Sequence, residues 1–160
     1  MRARILIFFL IIILISLVFS PFFCNKKKGY QNHFIINDNN WVATDTLNFD
    51  FQTKNNINNN YNISFFGKTN QNYPYANLFL FIEIVSQKNI LISDTLNCVL
   101  YNRFGRPLER NIGNLIYFKI NYLDSVVLNS NTKHTCRIIH GMRDRDLIGV
   151  ETIGVKINYN

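Results

Sequence analysis

Short runs of alternating apolar and polar residues dominate this chain. Leu47, Phe49 and Phe51 alternate with Asn48 and Asp50, which is the two-residue period of a strand with one buried face. The same period returns at 61–65, 96–100, 135–139 and 153–157, and 115–122 and 126–128 are further strand candidates. We therefore predict seven or eight short strands separated by loops.

The segment Leu78–Val85 differs from the others because it is almost continuously apolar. Glu83 is its only charged residue. A run of this kind predicts a strand covered on both faces, as in the middle of a sandwich.

Turn residues separate these runs. The chain holds 25 asparagines, and asparagine favours turns; residues 54–60, 67–72 and 102–114 are expected to be loops. The one helix candidate, 141–147, is short and charged. The pattern predicts an all-β fold, an antiparallel β-sandwich or jelly-roll-like single domain spanning residues 41–160.

The N-terminus carries an export signal. Arg2 and Arg4 precede an apolar run from Ile5 to Phe19, and Pro21 breaks it. Residues 1–23 are therefore predicted to be a signal peptide or a membrane anchor. Because the two arginines hold the N-terminus in the cytoplasm, the domain is expected in the cell envelope, membrane-anchored, on the periplasmic side.

Cys24 follows this run directly and is the candidate lipidation site. A lipoprotein signal places a cysteine here, whose thiol receives a diacylglycerol group and becomes the new N-terminus. Pro21 and Phe23 depart from the usual residues before that cysteine, so an uncleaved N-terminal helix stays open as the alternative. Residues 24–40 are polar and are predicted to be a tether.

The net charge of +7 falls to +5 without Arg2 and Arg4, and Lys26, Lys27 and Lys28 supply three of those charges. A juxtamembrane basic cluster is typical of contact with anionic lipid. No basic stripe recurs later in the sequence, so we expect no nucleic-acid partner.

The remaining cysteines and the histidines offer no clear chemistry. Cys98 and Cys136 each lie on an apolar strand face, so they form either a disulfide or two separate buried thiols. His33, His134 and His140 lack the spacing of a metal site. We expect no metal and no cofactor.

Motifs for catalysis are missing. The sequence has no Gly-x-Ser-x-Gly elbow, no Cys–His pairing and no phosphate-cradling glycines. Glu83 and Glu109 could form a glycosidase pair, but nothing local brings them together. The chain is predicted not to be an enzyme.

The most distinctive stretch is Asn72–Asn77, which contains Tyr73, Pro74 and Tyr75. Its tyrosines either pin an entry loop over the end of the sandwich or anchor a protein or sugar partner. The candidate partner-binding residues are Tyr73, Pro74, Tyr75, Asn77, Met142 and Arg143.

From about Trp41 to Ile157 the chain resembles the GldH gliding-motility lipoproteins of Bacteroidetes. The resemblance rests on Asn72–Phe81, Asp94–Leu96, Met142–Arg143 and Gly149–Val155. It implies an all-β envelope lipoprotein that is required for surface gliding and associated with type IX secretion, with other envelope proteins as partners.

Three functions follow as hypotheses. The first is a non-enzymatic lipoprotein that acts as an accessory or scaffold of gliding or secretion machinery. The alternative is a carbohydrate-binding module that uses Tyr73, Tyr75 or Trp41 as a stacking platform. The weakest is a hydrolase built on scattered carboxylates.

Overall fold

Strands make up nearly all of the described structure. The computed structural model describes residues 29–54, 60–87 and 89–159. Within these ranges the one helical element is a 3₁₀ turn at Asn37–Asn39, and no helix of the described chain is long and apolar enough to cross a bilayer. The strands are β1 (Gly29–Ile35), β2 (Asn40–Val42), β3 (Leu47–Gln52), β4 (Asn60–Asn70), β5 (Asn77–Ser86), β6 (Asn89–Val99), β7 (Asn111–Ile112), β8 (Leu115–Val127), β9 (Lys133–His140), β10 (Asp146–Ile148) and β11 (Val150–Tyr159).

Two sheets face each other. The five-stranded sheet has the order β1-β11-β4-β8-β7, and the four-stranded sheet has the order β3-β9-β5-β6. The sheets meet along both sides, where β1 contacts β3 and β6 contacts β8. All the strand pairs are antiparallel, including the short pair β2-β10. The predicted all-β antiparallel sandwich is confirmed.

The alternating pattern builds the core between the sheets. Phe49 and Phe51 of β3 are buried, whereas their neighbours Asn48, Asp50 and Gln52 are exposed. Each fully buried side chain of this size contributes about 1.5–3 kcal/mol of transfer free energy. The largest fully buried side chains are Trp41, Tyr61, Phe49, Phe65, Ile63, Leu78, Leu80, Ile82, Ile84, Leu100, Leu128 and Ile138.

The predicted tether over residues 24–40 is wrong from Gly29 onward. Residues Gly29–Ile35 form β1, which pairs with β11 along its whole length. Tyr30 and Phe34 point inward and contact the rings of Phe51 and Phe49. The error arose because β1 is an edge strand whose outward residues are polar. Residues 1–28, including the predicted signal and Cys24, lie outside the described residues.

Three further local predictions are wrong. The presumed turn at 67–72 is strand as far as Asn70, because β4 continues its pairing with β8 and β11. The helix candidate at 141–147 is a loop that leads into β10. Finally, β5 is covered on one face only: Leu80 is buried, whereas Phe79 and Phe81 are 36% and 50% exposed.

The two cysteines of the domain are separate buried thiols. Cys98 of β6 is the register partner of Leu78, and Cys136 of β9 is the register partner of Ile84. The two cysteines therefore lie on strands at opposite sides of β5. Six residues of strand separate those positions by roughly 20 Å, which is far beyond the roughly 7 Å that a disulfide allows. Both thiols are free, and burial raises the pKa of each to about 12. The disulfide alternative is therefore excluded.

Two buried histidines make the fold sensitive to acid. His134 stacks on Phe51, and His140 meets Trp41 edge to face, each at a centroid distance of 5.3 Å. Both side chains are almost fully buried, and burial lowers the pKa of each below its ordinary value. The neutral rings are therefore the forms that the fold favours.

We expect the free energy of unfolding to fall as the pH drops below about 6.5. Below that pH the unfolded histidines take up protons that the folded ones resist, so each can remove about 1.4 kcal/mol per pH unit until its lowered folded pKa is reached. Above pH 7 the effect vanishes, because the rings are neutral in both states. Urea unfolding at pH 7.5 and 5.5 checks this. His140→Phe should reduce the dependence, and an equal loss of unfolding free energy between the two pH values in the wild type and in His140→Phe would contradict it.

Candidate partner-binding surface

The segment Asn72–Asn77 carries the chain from the five-stranded sheet to the start of β5. Tyr73 is buried at 6% exposure. Its backbone N–H donates to the carbonyl of Asn70 at 3.1 Å, and its hydroxyl donates to the carbonyl of Asn77 at 2.7 Å. Burial raises the pKa of Tyr73. This tyrosine therefore pins the loop, which is the structural role that the sequence left open.

Tyr75 points the other way and lies partly exposed on the surface. Its hydroxyl donates to Asp144 Oδ2 at 2.7 Å, and this hydrogen bond raises the pKa of Tyr75. Its ring meets that of Tyr73 edge to face at 5.9 Å. Tyr75 thus ties the entry loop of β5 to the loop that follows β9.

The loop after β9 is held against β5 by the backbone of Phe79. The N–H of Phe79 donates to Met142 Sδ at 3.3 Å, and the N–H of Gly141 donates to the carbonyl of Phe79 at 2.7 Å. A Cβ on Gly141 would lie 3.0 Å from Phe81 Cζ and 3.3 Å from Phe79 Cβ. The two phenylalanines therefore pack closely over the glycine backbone.

These contacts create an exposed apolar surface, which we call the aromatic strip: Tyr75, Phe79, Phe81 and Met142. A cavity of about 310 Å³ lies within it, lined by Tyr75, Phe79, Gly141, Met142 and Arg143. Arg143 is exposed at its rim.

A polar depression of about 590 Å³ continues from the strip along the same face, and Phe81 lines its border. Glu83 and Arg137 face each other across β5 and β9, with 3.7 Å between Oε2 and Nη1. Both side chains are well exposed, so this ion pair contributes little to stability. The other polar lining residues are Thr46, Ser93, Asp94 and Thr95.

The structure brings together part of the predicted partner-binding set. Tyr75, Met142 and Arg143 meet at the strip, and exposed Pro74 lies just before it. Asn77 instead hydrogen-bonds Asn97 of β6 at 2.8 Å. The prediction missed Phe79 and Phe81, although their alternation with Leu78 and Leu80 was the signal that could have revealed an exposed face.

Two alternative sites proposed from the sequence are not formed as predicted. Trp41 and Tyr73 are 1% and 6% exposed, so neither can stack on a sugar, and of the three proposed platform residues only Tyr75 is partly exposed. Glu83 lies on the outer face of the four-stranded sheet, whereas Glu109 lines a groove on the five-stranded sheet. Within the described ranges, no three His, Cys, Asp or Glu side chains are grouped to hold a metal ion.

Solved structures offer only distant likenesses. Dimeric latent PorU from Porphyromonas gingivalis shares 12% identity over 81% of this chain, at a TM-score of 0.30. The Gx strain of infectious bursal disease virus shares 11% over 82%, at a TM-score of 0.33. This chain spans only 13% and 32% of those two chains, and likenesses this weak carry no argument about its function.

Sequence comparisons are more informative. A curated protein of Christiangramia forsetii (strain DSM 17595 / CGMCC 1.15422 / KT0803), named as a gliding motility lipoprotein GldH homolog, is 28% identical over 143 residues, which are 84% of this chain and 85% of the relative. The family model described as GldH lipoprotein matches residues 28–157. That match begins one residue before β1 and ends within β11, so it covers the whole sandwich. The chain is a membrane-anchored lipoprotein of the cell envelope and belongs to the GldH gliding-motility lipoprotein family.

Proposed function

We propose that this lipoprotein is a non-enzymatic accessory component of the gliding machinery that holds another envelope protein on its aromatic strip. The observation that carries the proposal is the exposure of Phe79 and Phe81 in the middle of a sheet. Two large rings at a central strand are costly to leave in water unless something covers them.

The composition of the strip favours a protein as the partner. Aromatic residues, methionine and arginine are enriched where proteins bind each other, and hot spots are apolar centres surrounded by polar rims. The strip has both parts, with Tyr75, Phe79, Phe81 and Met142 at its centre and Arg143 at its rim. The polar depression beside it extends the rim along the sheet.

The absence of catalytic motifs supports a binding role. Tyr75 already donates its hydroxyl to Asp144, and Glu83 faces Arg137, so these four polar groups are engaged in contacts within the protein. Scaffolding of the type IX secretion machinery is part of the same proposal, and it rests on the family association alone.

The position of β1 relates the strip to the membrane. We propose that Cys24 carries the lipid and that the domain lies on the periplasmic side. Gly29 lies five positions after Cys24, so the start of β1 is within about 18 Å of the anchored residue. In the sheet, the Gly29 end of β1 lies beside the Asn60 end of β4. Because Tyr75 follows the opposite end of β4, the strip begins at the end of the sandwich that is remote from the anchor.

Cys24→Ser is expected to abolish incorporation of labelled palmitate and to leave the folded domain unchanged. The lipid forms a thioether with the Cys24 thiol, which serine cannot supply, whereas the other two cysteines are buried. Metabolic labelling followed by immunoprecipitation measures the effect. Equal labelling of the wild type and the variant would favour the uncleaved N-terminal helix instead.

Deleting the gene tests the proposed function. The proposal predicts reduced colony spreading and reduced export of surface proteins, both restored by the wild-type gene on a plasmid. Unchanged spreading together with unchanged export would contradict it.

A further inference from the structure

The opposite outer face of the sandwich holds a further cavity, which runs across the strands of the five-stranded sheet. It has a volume of about 490 Å³ and takes lining residues from β1, β11, β4, β8 and the segment that ends in β7. We call it the basic groove. Its lining residues are Gln31, His33, Phe66, Gly67, Lys68, Glu109, Arg110, Ile112, Tyr117, Phe118, Lys119 and Thr152.

Strand register explains why these side chains meet. His33 pairs with Gly154, Gly154 with Phe66, and Phe66 with Lys119, so one row crosses four strands. In the next outward-facing row Lys68 pairs with Tyr117, and the N–H of Tyr117 donates to the carbonyl of Arg110 at 2.9 Å. Residues far apart in the sequence thus form one surface.

An aromatic ring forms the floor of this groove. A Cβ on Gly154 would lie 2.4 Å from Phe66 Cζ, which means that the ring occupies the space above the glycine. Any other residue at position 154 would lift Phe66 away from the sheet. The glycine therefore lets Phe66 lie over the neighbouring strand with part of its surface exposed.

Positive charge surrounds this ring. Lys68, Lys119 and Arg110 line the groove, and Lys156 lies in the adjacent row beside Ser64. Lys68 Nζ lies 6.0 Å from the centroid of Tyr117. Glu109 is the one carboxylate among the lining residues, and none of the four cations forms an ion pair with a carboxylate of the described chain.

One nearby carboxylate outside the lining set is already engaged. Glu151, which precedes Thr152 at the strand bulge, accepts a hydrogen bond from Asn70 Nδ2 at 2.8 Å. The four cations outnumber the carboxylates of Glu109 and Glu151, so the local balance is positive.

We propose that the basic groove binds an acidic polysaccharide, with a sugar ring stacked on Phe66 and its acidic groups paired with Lys68, Lys119 and Arg110. Ammonium and guanidinium groups bind carboxylate or phosphate strongly where water is partly excluded, and an aromatic face offers a flat apolar surface to a sugar ring. Exposed Gln31 and Asn121 lie in the same row as Lys156 and supply polar groups for sugar hydroxyls.

The shape of the groove favours a chain over a membrane surface. The cavity extends across the sheet from Gln31 and His33 on one side to Ile112 on the other, as an extended ligand requires. A flat bilayer would touch the ends of the lysines and would not reach a ring that lies on the sheet.

Binding of polygalacturonate to the full-length protein in phosphatidylcholine nanodiscs tests this proposal. We expect polygalacturonate to bind, neutral dextran not to bind, and Lys68→Gln/Lys119→Gln to weaken binding at least tenfold. Lys54→Gln/Lys133→Gln removes the same charge from exposed positions elsewhere and should change the affinity less than twofold. Phe66→Ala should also weaken binding, although it leaves the net charge unchanged.

Three results would overturn the proposal. These are no binding of polygalacturonate by the wild type, an equal loss in the two lysine pairs, and an unchanged affinity in Phe66→Ala. Capture of phosphatidylglycerol vesicles in place of polygalacturonate would also overturn it and would assign the groove to anionic lipid.

Discussion

Gly149→Ala should destabilise this protein by about 3 kcal/mol, which corresponds to a loss of roughly 10 °C in Tm. Gly149 joins β10 to β11 with a φ of +87°, where a side chain is strained. A Cβ there would lie 2.4 Å from the N and 2.7 Å from the Cα of Tyr73. Backbone atoms cannot move aside as a flexible side chain can, so the clash adds to the strain.

The same glycine connects three segments. Its N–H donates to the carbonyl of Asn39 at 2.7 Å, and its carbonyl accepts from the N–H of Asn70 at 2.8 Å. A displacement at this position therefore moves the Tyr73 loop as well as the strand junction. Because that loop leads into the aromatic strip, the substitution should impair function beyond its effect on stability.

Gly113→Ala is the matched control. Gly113 also has a positive φ, +61°, but a Cβ there would meet nothing within 4 Å. It should cost about 1 kcal/mol, from backbone strain alone. Urea unfolding of both variants separates the two contributions, and equal losses would show that the contact with Tyr73 has no energetic effect.

Phe79→Ser/Phe81→Ser should abolish colony spreading in a complemented deletion strain while the protein stays folded. These two residues are 36% and 50% exposed on the outer face of the four-stranded sheet, so their removal leaves the core between the sheets intact. If they are hot spots, the pair contributes about 3 kcal/mol to binding, or roughly two orders of magnitude in affinity.

Ile90→Ser/Leu91→Ser provides the control for that result. These residues of β6 are 58% and 41% exposed, and they lie at the opposite end of the same sheet from Tyr75. The control removes comparable apolar surface and should leave spreading intact. If Phe79→Ser/Phe81→Ser spreads as well as the wild type, and is as abundant in the envelope, the docking role is contradicted.

The strands whose inward residues are strongly apolar could be predicted from the sequence. Phe49 and Phe51 of β3 and Ile153, Val155 and Ile157 of β11 are all buried, as the alternation indicates. β1 was missed because an edge strand buries less of each side chain, so its Gln, Asn and His resemble a linker.

The candidate site was predicted only in part, for a different reason. The hydrophobic pattern predicts that Phe79 and Phe81 are shielded from water. It does not distinguish burial under a second sheet of the same protein from burial under a separate protein. Tyr73 is buried and Tyr75 is partly exposed because their side chains point in different directions from the same loop. Similarly, Lys68 and Lys119 lie 51 positions apart in the sequence, and only the pairing of β4 with β8 makes them neighbours.

Photo-crosslinking in living cells tests the docking role most directly. With benzoylphenylalanine in place of Phe81, the account predicts a crosslink to one envelope protein of the gliding or secretion machinery, absent when the same group replaces Leu91. The absence of any crosslink from position 81, or the same crosslinked product from both positions, would contradict it.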